Sequence, residues 1–147
     1  MDPKKIRKIL VVVLDNLGDT IMATSVCRPL RTLFPQALIG FWVKSYVAGS
    51  LEGHSLIDRL HASDPFWDSS PGHPKGSWAE FKSVLNQIKK ENYDAALILN
   101  TEWRRSAACW WIRIPERVGF KRRKSAVFLT KGFEKPVDGQ HFIDDHR

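Results

Sequence analysis

Ile9-Leu10-Val11-Val12-Val13-Leu14-Asp15-Asn16-Leu17-Gly18-Asp19-Thr20 is the stretch whose reading decides the fold. Its six consecutive apolar residues are too few for a typical helix and too continuous for a strand with one wet face. They predict a buried central strand of a parallel sheet. Polarity then reverses at once. Asp15, Asn16, Gly18, Asp19 and Thr20 form a turn, and Asp19 or Thr20 can cap the helix that follows. In open α/β sheets ligands bind outside the carboxyl ends of the strands, so this loop is the first candidate site. It has neither the Gly-x-Gly-x-x-Gly of a dinucleotide site nor the Gly-Lys-Ser/Thr of a P-loop. Asp19 at its mouth would repel a bound phosphate. A base suits that carboxylate better, and a plain helix cap is the competing reading.

The 147 residues suit one domain, able to bury roughly two thirds of its unfolded surface without disulfides or metals. Cys27 and Cys109 fall in predicted helices among apolar neighbours, which points to core thiols in a reducing compartment rather than a bridge. Lys4, Lys5, Arg7 and Lys8 ahead of an apolar run imitate a secretory leader, but the run ends at Asp15 and no small-residue cleavage site follows. No stretch approaches the ~20 apolar residues of a membrane span. A cytoplasmic protein is expected. Its net charge of +7 favours anionic partners.

Working outward from the first strand, Ile21, Val26, Leu30, Leu33 and Phe34 recur near helical spacing, with Pro29 expected to kink that helix and Pro35 to end it. Residues 37–43 read as a second strand, 45–51 as a short helix, 57–62 as a third strand and 63–76 as a proline- and glycine-bearing loop. Ser77-Trp78-Ala79-Glu80 is a capping box, continued by Phe81, Val84, Leu85 and Ile88 at helical spacing. Residues 95–99 form a fully apolar fourth strand, a helix runs from Asn100 to Ile112, and 118–120 and 127–130 read as fifth and sixth strands. The alternation defines an α/β fold, a Rossmann-like parallel sheet with helices on both faces and right-handed crossovers.

Three elements then carry a family resemblance. Leu14-Asp15-Asn16-Leu17-Gly18-Asp19-Thr20, Tyr93-Asp94-Ala95-Ala96-Leu97-Ile98-Leu99 and Arg117-Val118-Gly119-Phe120 together resemble the amino-terminal half of bacterial lipopolysaccharide heptosyltransferases and related ADP-heptose-using enzymes, family 9 of the GT-B glycosyltransferases. The resemblance covers most of the chain. It implies a two-domain enzyme, with residues 1–147 as the acceptor-side domain and a donor-binding carboxyl-terminal domain outside them. It further implies that Asp19 is the general base, that Asn16, Gly18, Thr20, Arg104 and Arg105 bind the acceptor, and that the reaction is inverting and needs no metal or cofactor. The donor would be a nucleotide-sugar, ADP-heptose, and the acceptor an anionic glycolipid resembling lipopolysaccharide core. These residues alone would then fold but stay catalytically silent. The chemistry agrees with the reading of the first loop, because an acceptor hydroxyl attacking an anomeric carbon must lose its proton, and a positioned carboxylate contributes roughly 10²- to 10⁴-fold as a general base.

The remaining signals are weaker. Arg104, Arg105, Arg113, Arg117, Lys121, Arg122, Arg123 and Lys124 stand against Glu116 alone, so this one region equals the chain's whole net charge of +7. It reads as a solvated face, as a patch for acceptor phosphates or the inner-membrane surface, or, least in keeping with its motifs, as a nucleic-acid site. Trp103, Trp110 and Trp111 fit a core or a domain interface better than base stacking. Asp144, Asp145 and His146 are neighbours that cannot all face one ion from a helix, and His54, His61, His73 and His141 have no partner at ligand spacing. Two functions therefore stand at this level. One is the acceptor half of a heptosyltransferase-like enzyme, and the other is a basic Rossmann-like module that holds an anionic ligand or nucleic acid without chemistry.

Overall fold

The computed structural model describes residues 5–14, 17–64, 76–99, 103–121 and 125–134. Six strands pair in parallel in the order β3-β2-β1-β4-β5-β6. The apolar run becomes β1 (Lys8–Val13), flanked by β2 (Leu38–Val43) in the register Val12↔Trp42 and by β4 (Ala95–Ile98) in the register Val12↔Ile98. Leu10, Val11 and Val12 are wholly buried, as a strand with partners on both edges and helices on both faces must be. β3 (Arg59–Ala62) closes one side of the sheet, and β5 (Glu116–Lys121) and β6 (Lys131–Glu134) the other.

Helices α1 (Leu17–Ala23), α2 (Cys27–Leu33) and α3 (Ser45–Leu51) lie over one face, where Ala23, Cys27, Val47 and Leu51 pack on Val11, Val13, Ile39, Phe41 and Val43. Helices α4 (Trp78–Glu91) and α5 (Trp103–Trp111) cover the other, where Phe81, Val84, Leu85, Ile88, Ala108 and Cys109 meet Leu10, Val12, Trp42, Ala96 and Ile98. The sheet thus stands between Cys27 and Cys109, which accounts for two separate core thiols. Burial raises both, and pushes Cys109 up to about 12, so they stay protonated and inert.

Local chemistry explains most boundaries. Ser77 caps α4, its side chain accepting from the Glu80 N–H at 3.1 Å, and Asn92 ends the helix in the left-handed region at φ 59°. The first helix departs from expectation. It breaks at Thr24–Val26, a single 3-10 turn, rather than at Pro29. Thr24 Oγ1 donates to the Ile21 carbonyl at 2.6 Å and so competes with the helix ladder. Pro29 sits in the first turn of α2, where its missing N–H costs nothing. Ile21 and Leu33, expected on the core side, are 53% and 61% exposed. The end of the chain's described part is also shifted: residues 127–128 belong to a short helix, α6 (Ser125–Phe128), and the sixth strand follows at Lys131. A parallel β5–β6 pair needs such a crossover, and the Val127-Phe128-Leu129-Thr130 run imitates a strand.

The Arg-x-Gly-Phe element has a structural explanation. Arg117 donates to the carbonyls of Phe128 and, at 2.7 Å, Ile114, and its N–H reaches Thr130 Oγ1 at 2.7 Å. It ties the β5–α6–β6 corner together. A Cβ on Gly119 would lie 2.9 Å from the Ile98 carbonyl, so only glycine lets β5 lie this close to β4. The opposite, amino-terminal edge is held by carboxylates: Asp94 Oδ2 accepts from the N–H groups of Arg7 at 2.9 Å and Lys8 at 3.0 Å, and Asp58 Oδ2 from that of Ile39 at 2.8 Å.

Candidate active site at the carboxyl edge of the sheet

The chain leaves β1 for helices on one face and leaves β4 for a helix on the other, although the two strands are hydrogen-bonded neighbours. The strand order therefore reverses between β1 and β4, the place at which open α/β sheets bind ligands. Leu99 N–H still reaches the Val12 carbonyl at 3.2 Å, so the two loop roots begin side by side.

Asp19 lies here. It is the third residue of α1 and exposed, so it stands within the helix's first turn, favourably placed against the helix dipole, rather than in the capping position expected for it. Gly18 beside it is exposed, and a Cβ added there would meet nothing within 4 Å. Thr20, by contrast, is wholly buried under the helix. Asn16 lies outside the described residues, as do Asn100, Thr101 and Glu102 on the β4 loop.

The paired arginines separate cleanly. Arg104 is exposed on α5, its guanidinium 5.1 Å from the centre of the Trp103 ring. Arg105 is only 6% exposed and donates from Nη2 to the Leu14 carbonyl at 3.0 Å, which joins the first turn of α5 to the residue before the Asp19 loop. A charged donor on a buried backbone carbonyl is a strong tie. The structure thus brings Asp19, Gly18, Thr20, Arg104 and Arg105 to one edge, with Arg105 turned inward.

Other polar groups at this edge were not singled out from sequence. Lys44 and Asp64, at the ends of β2 and β3, are 5% and 6% exposed, and Asp64 accepts from the Ser45 N–H at 3.2 Å and from the Ser45 hydroxyl. Ser106 Oγ, next to Arg105, is buried with no hydrogen-bond partner among the described residues. The signal for all three was a polar residue just beyond an apolar strand or at the start of a helix, a pattern shared by ordinary turns. Among the described residues no group of His, Cys, Asp and Glu side chains could hold a metal ion. The Asp144-Asp145-His146 segment lies outside them, as do residues 122–124 of the basic region.

A doubly wound parallel sheet with helices on both faces defines a Rossmann-like domain, here with an exposed carboxylate and arginines at its switch point. Its particular relatives are glycosyltransferases. The chain is 24% identical over 114 residues to lipopolysaccharide heptosyltransferase 2 of Salmonella typhimurium and of Escherichia coli, a match covering 78% of this chain and 31% of each relative. It superposes on a glycosyltransferase family 9 structure from Veillonella parvula with a TM-score of 0.76 and 24% identity, over 98% of this chain and 40% of that one. On the E. coli heptosyltransferase WaaC, solved with ADP-2-deoxy-2-fluoro heptose, the TM-score is 0.72 at 17% identity, over 93% of this chain and 45% of that one. No family model matches the chain. The chain is thus similar to heptosyltransferases in sequence and in fold, and it spans about a third of the length of the curated relatives.

Proposed function

We propose that these residues form the acceptor-binding half of a glycosyltransferase that moves a sugar from a nucleotide-sugar, ADP-heptose or a close analogue, to a cell-envelope glycan. The observation that carries the reading is the exposed Asp19 carboxylate at the switch-point edge, in the first turn of α1 and just beyond the loop whose root, Leu14, Arg105 fastens. In the reaction Asp19 takes the proton of the acceptor hydroxyl as its oxygen bonds to the anomeric carbon. The bond to the nucleotide breaks on the opposite face, its electron pair leaves with the diphosphate, and the configuration inverts without a metal. Exposed Arg104 meets the acceptor's phosphates and acidic sugars, and Asn16, Gly18 and Thr20 complete the acceptor's contacts at the loop that leads into α1. Arg105 sets that loop's position. The donor's grip is assigned to a second domain outside these residues, in keeping with the greater length of the relatives. A glycolipid acceptor places the protein at the cytoplasmic face of the inner membrane.

The test is Asp19→Asn in the complete protein, measured by transfer rate, melting temperature and acceptor affinity. A loss of roughly 10²- to 10⁴-fold in rate is expected, with melting and affinity unchanged, because only the proton-accepting lone pair is lost. A near-normal rate would leave Asp19 as a first-turn carboxylate and nothing more.

A further inference from the structure

The outer side of the α4–α5–α6 layer carries a feature that transfer chemistry does not use. While Ala108, Cys109 and Ile112 face the sheet, Trp110 and Trp111 point the other way and are 55% and 61% exposed. They belong to two aromatic groups, one around each ring. Trp111 stacks on Trp78 at 6.0 Å between ring centres, Trp110 lies 5.6 Å from Phe128, and Phe128 stacks on Trp103 at 6.3 Å. Val127, beside Phe128, is 76% exposed. A soluble surface rarely leaves side chains of this size together in water.

We propose that this aromatic face docks on an anionic lipid bilayer. Two observations choose that occupant. The exposed residues are mainly tryptophans, whose amphipathic rings settle at the headgroup level of a membrane. Cations accompany them, Arg104 over Trp103 and exposed Arg113 two residues past Trp111. Negative headgroups attract basic clusters while the rings supply the apolar anchor, and the two terms reinforce each other. The face begins at Trp103 and Arg104, beside the carboxyl edge that holds Asp19, so docking brings the candidate site to the bilayer surface. The inference deepens the proposed function, since a glycolipid acceptor is presented on such a surface.

The test uses the 147-residue chain and vesicles without any acceptor, so that its failure is separate from a failure of the transferase reading. Co-sedimentation and tryptophan emission are measured with phosphatidylcholine vesicles and with phosphatidylcholine vesicles containing phosphatidylglycerol. Binding to the anionic vesicles alone is expected, with a blue shift in emission and weakening at high salt. Trp110→Ser with Trp111→Ser should abolish the blue shift, and Arg113→Gln, which leaves every ring in place, should lower partitioning about fivefold. Circular dichroism shows that each variant is folded. Absence of binding, equal binding to both vesicle types, unchanged binding by a folded double variant, or self-association through this face in place of vesicle binding would each overturn the proposal.

Discussion

Arg104 and Arg105 are sequence neighbours with opposite surroundings, and that contrast sets a test. In the complete protein Arg104→Gln should raise the acceptor KM with little change in kcat, because an exposed cation contributes to binding. Arg105→Lys keeps the charge but loses the planar donor on the Leu14 carbonyl, so kcat should fall while KM holds. The reverse pattern would exchange the two roles. A second residue-scale device lies inside the sheet. Tyr93 Oη is 2.7 Å from His61 Nε2, and a Cβ on Gly40 would sit 2.0 Å from that hydroxyl. Gly40→Ala should therefore cost about 1–3 kcal/mol of stability by overpacking. Tyr93→Phe should relieve part of it, which appears as non-additivity in the double variant's denaturation midpoint. Burial chiefly holds the His61 imidazole below the ordinary histidine range, with Arg59 adding to the effect and Glu91 opposing it. The sign follows from linkage: stability is full above the unfolded value of ~6.5 and drops as pH falls from there toward the lower folded value, since the unfolded chain takes up a proton that the folded one resists. Urea midpoints at stepped pH should show this decline, and His61→Gln should remove its share of the slope.

At the scale of elements, the best-read parts were those in which local chemistry and tertiary demand agree. The unbroken apolar run of β1 and the capping box of α4 are such cases, and α3 matched its expected bounds, Ser45–Leu51. Ser77→Ala should cost α4 about 1 kcal/mol, measurable in a thermal melt, because the Glu80 N–H loses its acceptor. The misread parts were those decided by distant partners. Residues 127–130 have strand-like side chains but lie where the β5–β6 crossover must pass, and Thr24, not Pro29, breaks the first helix. The site was legible only as positions on a loop. Asp19 and the two arginines could be placed at strand ends from periodicity, but the inward turn of Arg105 depends on a carbonyl 91 residues away. The burial of Lys44 and Asp64 likewise depends on neighbours no local pattern names.

For the whole molecule, the proposed division of labour predicts that these residues fold, yet bind ADP-heptose only weakly by calorimetric titration. Micromolar affinity, or any sugar transfer by them alone, would require a donor site within this domain. The parallel sheet was implicit in the alternation, whereas the neighbourhood of β1 and β4 was not. That neighbourhood has a temporal side. β1 touches β2 on one edge and β4 on the other, so one flank of the central strand waits for Ala95–Ile98. On a ribosome adding about 5–20 residues per second, that wait is on the order of ten seconds. Throughout it the nascent β1–β2 pair shows the unpaired edge of a strand apolar from Ile9 to Val13, so the central position that buries β1 in the finished protein makes its synthesis the moment when it is most open to wrong pairing.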